Sequence, residues 1–124
     1  MKIINKQDAV HLSKPEGINV TYYLLNEYEV HYNEQLPDTT QIWHHHEKIW
    51  ETLYIIEGTL VAKWKDDEEE KAEVIKAGDL AETERTPHTF LNESGKTVKF
   101  LVIKQIPKGE DYKEILKTDK VIDQ

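Results

Sequence analysis

The sequence predicts an all-β domain, an antiparallel sandwich or barrel. Three observations carry that expectation. Several short stretches alternate apolar and polar residues with a period of two, as in Tyr28 to Glu34. β-Branched and aromatic residues crowd the stretch Ile18 to Leu25. Turn signals such as Pro15-Glu16-Gly17, Glu57-Gly58, Ala77-Gly78-Asp79 and Glu93-Ser94-Gly95 separate such stretches at close spacing. At 124 residues the chain suits one domain with a sizeable core.

The elements follow in order. Ile3, Ile4, Val10 and Leu12 fit a short peripheral strand, with His11 at the surface. Ile18, Val20, Tyr22 and Leu24 then share one face of a strand. In the third segment, Tyr28 to Glu34, His31 falls on the polar face with Glu29 and Asn33, and that face is expected to meet solvent. Leu36 to Thr40 is a turn or loop leading into Trp43 to His46. After a second turn, Glu51 to Glu57 reads as a strand apolar on both faces past its first pair, the mark of a strand covered on both sides. Leu60 to Lys65 is its hairpin return, with Leu60, Ala62 and Trp64 on one face. The acidic run Asp66 to Glu70 is a solvated hairpin tip. Val74-Ile75 leads to a turn at Gly78, and Leu80 to Thr83 is short and strand-like. Arg85-Thr86-Pro87 turns the chain into the strand His88 to Asn92. Thr97 to Ile106 is a long strand, with Val98, Phe100, Val102 and Lys104 on one face. Only Glu110 to Lys117 looks helical, with Tyr112, Ile115 and Leu116 at i, i+3 and i+4; Thr118 to Gln124 are expected to fray.

Composition excludes several functions. Hydrophobic residues make up 38% and charged residues 32%, which describes a folded rather than a disordered chain. A net charge of −8 argues against nucleic acid as a partner, because phosphate binding needs a basic face. No apolar run is long enough to span a bilayer, so no membrane partner is expected. The stretch from Met1 to Lys6 lacks the apolar core of a signal peptide, so a cytoplasmic location is expected. With no cysteine, disulfides, thiolate metal sites and cysteine nucleophiles are excluded. Any metal must be held by histidine and carboxylate.

The stretch Trp43 to Gly58 concentrates the chemistry. His44 and His46 stand two residues apart, and on an extended strand they share one face while His45 takes the other. Glu51 opens the next strand. Two imidazoles and a carboxylate on adjacent strands make a plausible set of ligands for a transition metal. His88, on a strand after Pro87, adds a third imidazole, and Asn92 shares its face as a strand-end residue. Phe90 also lies on that face, where it can line a pocket, and Trp50 sits in the turn beside Glu51.

These residues resemble the cupin superfamily. Its first motif is matched by His44-x-His46, four residues, Glu51, six residues and Gly58, with Asp38 where the motif opens on glycine. Its second motif is matched by Gly78, His88 and Asn92, with Thr83 and Arg85 replacing its inner proline and glycine and a first gap one residue shorter. The resemblance spans about Tyr22 to Ile106. It implies a double-stranded β-helix, the cupin jelly-roll barrel, here with a short C-terminal helix. It also implies that His44, His46, Glu51 and His88 bind a divalent transition metal in the barrel mouth, with Fe, Mn, Ni and Zn all open.

Four protein ligands on an octahedral ion leave two positions for water, substrate or oxygen, as in a working site rather than a closed structural one. The expected function is therefore a metal-dependent enzyme acting on a small polar metabolite, with dioxygenase-type oxidation preferred over decarboxylation or isomerisation. The competing readings are a non-catalytic cupin that binds or senses a small molecule or metal, and a metal-free sugar isomerase or epimerase. A homodimer is expected from the doubly apolar strand and the Trp and Tyr residues.

Overall fold

Among the described residues twelve strands follow a single-turn 3-10 helix at Lys6–Asp8: β1 (Val10–Lys14), β2 (Ile18–Leu24), β3 (Tyr28–Gln35), β4 (Thr39–Thr40), β5 (His44–His46), β6 (Trp50–Glu57), β7 (Thr59–Asp66), β8 (Glu69–Lys76), β9 (Leu80–Glu82), β10 (His88–Asn92), β11 (Val98–Gln105) and β12 (Lys120–Ile122). The structure, a computed structural model, describes residues 1–107, 114–115 and 118–123. One sheet runs β1-β2-β3-β11-β6-β9 and the other β12-β5-β10-β7-β8, with β4 beside β10. Every pairing is antiparallel. The result is the all-β antiparallel sandwich that the strand pattern predicts, in the jelly-roll form that the cupin resemblance implies.

The interior between the sheets has an apolar half and a polar half. Leu53 and Ile55 of β6, Val98 and Phe100 of β11, Leu60 of β7 and Phe90 of β10 form the apolar half, each at most 2% exposed. Alternation delivers them: on β6 and β11 every second residue points inward. The same inward positions turn polar toward one end of the sandwich. Glu29 on β3, Lys104 on β11 and Glu51 on β6 stand side by side across three strands. The hairpin between β6 and β7 depends on Gly58, whose φ of +93° suits glycine, and a Cβ there would meet Val98 Cγ2 at 3.0 Å.

Several expectations need correction. The polar face of β3 does not meet solvent: Glu29, His31, Asn33 and Gln35 are all buried, and Tyr28 to Glu34 at alternate positions face outward. A polar face turns to solvent where the interior is apolar, whereas here the interior opposite β3 is polar. β8 is a full strand, not a lead to Gly78. Only Ile75 of its eight residues is buried, so no apolar alternation marks it, and pairing with β7 holds it in place. The tip between them places Asp67 and Glu68 at φ +50° and +69°, the left-handed geometry of a two-residue hairpin. Within the described residues no segment of the chain covers the second face of β6, where Trp50, Tyr54 and Ile56 are 40%, 42% and 43% exposed, which leaves another subunit as the cover that a strand apolar on both faces predicts.

At the C-terminal end, most of the predicted helix, Tyr112 and Leu116 included, lies outside the described residues. Glu114, Ile115 and Thr118 are helical. Asp119 N donates to Ile115 O at 2.9 Å, and Ile115 packs against Ile49 and Ile106. The segment expected to fray instead forms β12, which pairs with the histidine strand: Lys120 with His46, Val121 with His45 and Ile122 with His44.

Candidate metal centre

The three elements that carry the candidate ligands meet at the polar end of the sandwich. On β5 the alternation sends His44 and His46 inward, 6% and 2% exposed, and His45 outward, where its Nδ1 lies 2.9 Å from Asp123 Oδ2. β6 opens with Glu51 pointing in from the opposite sheet. His88 begins β10 directly beside His44. Glu51 Oε2 is 3.0 Å from His46 Nε2, and Glu51 Oε1 is 3.2 Å from His88 Nε2 and 4.0 Å from His44 Nε2. One donor atom each from His44, His46 and Glu51 lies within 4.8 Å of the others, a group that can hold a metal ion. His88 joins from the side, its ring 4.5 Å from that of His44.

Hydrogen bonding fixes how two of the rings present themselves. His44 Nδ1 is 2.8 Å from the Ile42 carbonyl and His88 Nδ1 is 2.7 Å from the Thr86 carbonyl. A carbonyl only accepts, so each Nδ1 carries the hydrogen. In the neutral ring this leaves a lone pair on Nε2, the atom facing Glu51. His44 is held neutral: burial, aided by His88 and opposed by Glu51, pushes its pKa down to about 3. Burial alone would raise the Glu51 carboxyl. The His46 and His88 rings and the Lys104 ammonium outweigh it and hold the group well below the usual carboxylate range, so it is ionised.

The arrangement tests well against a cation. The His88 Nε2–Glu51 Oε1 contact of 3.2 Å needs a proton or a metal between the two atoms, and with the Nδ1 hydrogen given to the Thr86 carbonyl a metal can take that place. His46 is more telling. Its Nε2 and Nδ1 are fully buried and make no well-aligned hydrogen bond among the described residues, although carboxylates lie beside both, Asp119 Oδ2 at 3.4 Å from Nδ1. Buried polar atoms without partners are rare and need an explanation. A divalent ion among the Nε2 atoms and Glu51 supplies one for His46 Nε2, while Nδ1 faces the Asp119 carboxylate, and this donor set of imidazoles with one carboxylate suits Fe, Mn, Ni or Zn.

Around this centre sit groups that the sequence reading did not assign to it. Asp119 accepts from Lys48 N at 2.8 Å and Ile49 N at 3.0 Å, so it shapes the turn that delivers Glu51 while flanking His46. His31 Nε2 lies 2.7 Å from Glu29 Oε1 with both side chains buried, and the Tyr22 ring stands edge-on to His31. Burial, opposed by the Glu29 hydrogen bond, keeps His31 below the ordinary histidine pKa. His31, His44 and Glu51 share a cleft of about 40 Å³ between the β1 and β12 edges of the two sheets, with Lys14, Lys104 and Lys120 in its walls. A larger cavity, about 440 Å³, opens between the β8 and β9 edges and touches His88 and Phe90, but neither His44 nor Glu51. The smaller cleft is therefore the one that gives on to the His-His-Glu group.

The motif departures are accommodated by backbone geometry. Asp38 takes φ +57°, and Glu84 and Arg85 take +53° and +61°, so the left-handed turns persist without glycine at positions 38 and 85. Arg85 stacks its guanidinium 4.1 Å from the Trp50 ring, at the end of β6 that carries Glu51. Asn92 is a strand-end residue as expected: its Nδ2 donates to the carbonyls of Gln35, Leu36 and Lys96, and its Oδ1 accepts from Ser94.

Comparison with known proteins agrees with this architecture. The family described as "Cupin domain" matches residues 31–104. No curated protein matches the sequence. Among solved structures, a cupin-superfamily sugar phosphate isomerase from Silicibacter pomeroyi aligns at 19% identity over 86% of this chain and 76% of its own, with a TM-score of 0.66. The polyketide cyclase RemF from Streptomyces resistomycificus aligns at 20% identity over 89% and 82%, with a TM-score of 0.70. HppE in its Fe(II) form aligns at 17% identity over 84% and 60%, with a TM-score of 0.69. At these identities the likeness establishes the fold. No helix among the described residues is long and apolar enough to cross a membrane.

Proposed function

The chain belongs to the cupin family, and on that premise we propose that it is a metal-dependent enzyme acting on a small polar metabolite. The observation that carries the proposal is the buried convergence of His44, His46 and Glu51, with His46 left without a hydrogen-bond partner among the described residues. In this reading His44, His46, Glu51 and His88 hold one divalent ion, Fe, Mn, Ni or Zn, and oxidation by dioxygen on Fe(II) is the reaction class we favour. When bound, the metal supplies Lewis acidity toward a substrate oxygen and, as iron, access to dioxygen.

The chain's own residues do the rest. The Ile42 and Thr86 carbonyls hold two imidazoles with Nε2 free. Glu51 supplies one negative charge against the cation. His31 donates from Nε2 to Glu29, so its Nδ1 is available to take a substrate proton, and Glu29 stabilises the imidazolium that results.

Elemental analysis of protein purified without chelator or affinity tag tests the metal. Near-stoichiometric metal, lost in both His44→Ala and His88→Ala, is expected; no metal after reconstitution with each ion refutes it. The Fe(II) form should then consume oxygen with a member of a panel of diols, enediols, thiols and flavonoids. No uptake with any of them removes the oxidation reading.

The buried Glu29–His31 pair favours a second reading, metal-free isomerisation or epimerisation with His31 as the base. Activity that survives metal loss in His44→Ala but vanishes in His31→Gln would select it. We also propose a homodimer through the outer face of the first sheet, where Tyr54 of β6 pairs with the 63% exposed Leu80 of β9. A sedimentation mass near 14.6 kDa at micromolar concentration refutes that assembly.

A further inference from the structure

The chain carries a net charge of −8, yet three lysines from three strands and both sheets gather at one cleft. Lys14 closes β1, Lys104 lies near the end of β11 and Lys120 opens β12. Lys14 and Lys104 are half-buried and Lys120 stands at the rim. Like charges so placed repel. Burial and the charges of Lys104 and Lys120 hold the Lys14 ammonium below the ordinary lysine pKa.

Two carboxylates, Glu16 and Glu51, line the cleft with the three lysines and attract Lys14, so cationic side chains outnumber anionic ones there by three to two. Glu16 accepts from Ile42 N at 2.8 Å, Glu29 is bound to His31, and Glu51 belongs to the His-His-Glu group. Lys104 Nζ is 3.8 Å from Glu51 Oε2, and among the described residues no carboxylate comes within ion-pairing distance of Lys14 or Lys120. The larger cavity is different: Asp66, Glu73, Glu82 and Glu84 stand in its walls beside Lys63 and Lys71, so it offers an anion little. With a divalent ion bound, the positive charge of the small cleft only grows.

We propose that Lys14, Lys104 and Lys120 form an anion site and that the substrate is a small organic acid bearing a carboxylate or phosphate group. The assignment rests on this cleft being the substrate site of the proposed enzyme. Because Lys104 touches a candidate metal ligand, the charged group of the substrate sits beside the metal, within reach of His31, and not at a remote tail. The cleft, about 40 Å³ and open to solvent on the side of the exposed Lys120, admits such a head group with the remainder of the molecule outside. Holding the charge fixes the neighbouring carbon against the metal and the Glu29–His31 pair.

The test is an NMR titration of the metal-free and the Mn(II)-reconstituted protein with acetate and with inorganic phosphate, at constant ionic strength, using acetamide and glycerol as uncharged controls. Metal binding is read separately by elemental analysis and, for affinity, by competition with a chelator. In the metal-free protein, saturable shifts at Lys14, Lys104 and Lys120 with an anion and none with the controls are expected. Lys14→Met and Lys104→Met should each weaken anion binding about tenfold, the loss of one charge-assisted hydrogen bond. The exposed Lys120→Glu variant, which spares the interior, should weaken it at least as much. Lys14→Met and Lys120→Glu, which do not touch Glu51, should keep the wild-type metal stoichiometry. Whichever of acetate and phosphate binds tighter identifies the head group. Anion shifts no larger than the controls, or equal affinity in the three variants, overturns the anion site. Absence of metal with lysine-dependent anion binding intact overturns the metal reading instead.

Discussion

Replacing Asp119 with alanine should damage the fold and the metal centre together. The Asp119 carboxylate is 4% exposed and accepts backbone hydrogen bonds from Lys48 and Ile49, in the turn between His46 and Glu51. Hydrogen bonds to a charged group contribute about 1.5–3 kcal/mol each when buried. The Ile49 bond is buried, whereas the Lys48 bond is only partly so and is discounted to about 1 kcal/mol. The expected destabilisation of Asp119→Ala is then about 2.5–4 kcal/mol, or a fall in Tm of about 10–15 °C for a chain of this size. The same residue flanks His46 Nδ1, and loss of such an orienting group typically weakens metal binding about 10–100-fold.

Urea denaturation followed by circular dichroism measures the first effect. Competition with a chelator for the reconstituted metal measures the second. Asp119→Asn keeps one acceptor oxygen and should show a smaller loss of stability. If Asp119→Ala unfolded within about 0.5 kcal/mol of wild type and held its metal equally well, the claim that this residue builds the turn and positions the ring would be wrong.

Three further outcomes follow from the packing and the buried histidines. His31 and His44 have pKa values lowered by burial, so they stay neutral in the fold while the unfolded chain protonates them below about pH 6.5. The unfolded state then binds more protons, and stability of the metal-free protein is full above that pH and falls as the pH drops below it. His31→Gln should flatten the decline between pH 7 and 5, and denaturation midpoints across that range check it. Gly58→Ala forces φ +93° on a residue with a Cβ that crowds Val98, and should cost about 1–2 kcal/mol by thermal unfolding. Phe100→Ala removes a side chain that is 0% exposed at the centre of the apolar half, and should cost about 3–5 kcal/mol in urea.

What the sequence made legible was local. His44-x-His46 needs only the two-residue period of a strand to share a face, and Glu51 needs only a turn to return opposite it. The long strand β11 announced itself because Val98, Phe100 and Val102 alternate without interruption. What it concealed depended on partners distant in the chain. β12 is three residues long with no buried residue of its own, and pairing with β5 holds it in place. No local signal could place Asp119 against His46, more than seventy residues away.

The inversion of β3 carries the broader physical point. Alternation tells which residues share a face, but the face that turns inward is decided by what lies opposite. Glu29, His31 and Asn33 share a face as alternation predicts, yet the face turns inward, although burying a carboxylate and an imidazole is costly unless each finds a partner. Here each does: Glu29 bonds His31, and Lys104 stands next to Glu29 on the neighbouring strand and to Glu51 beyond it. A polar face that looks solvent-directed, in a sequence that also supplies buried metal-type ligands and inward lysines, is therefore better read as the wall of the same site. The three features support one another, since each charged group in the interior makes the burial of the next less costly.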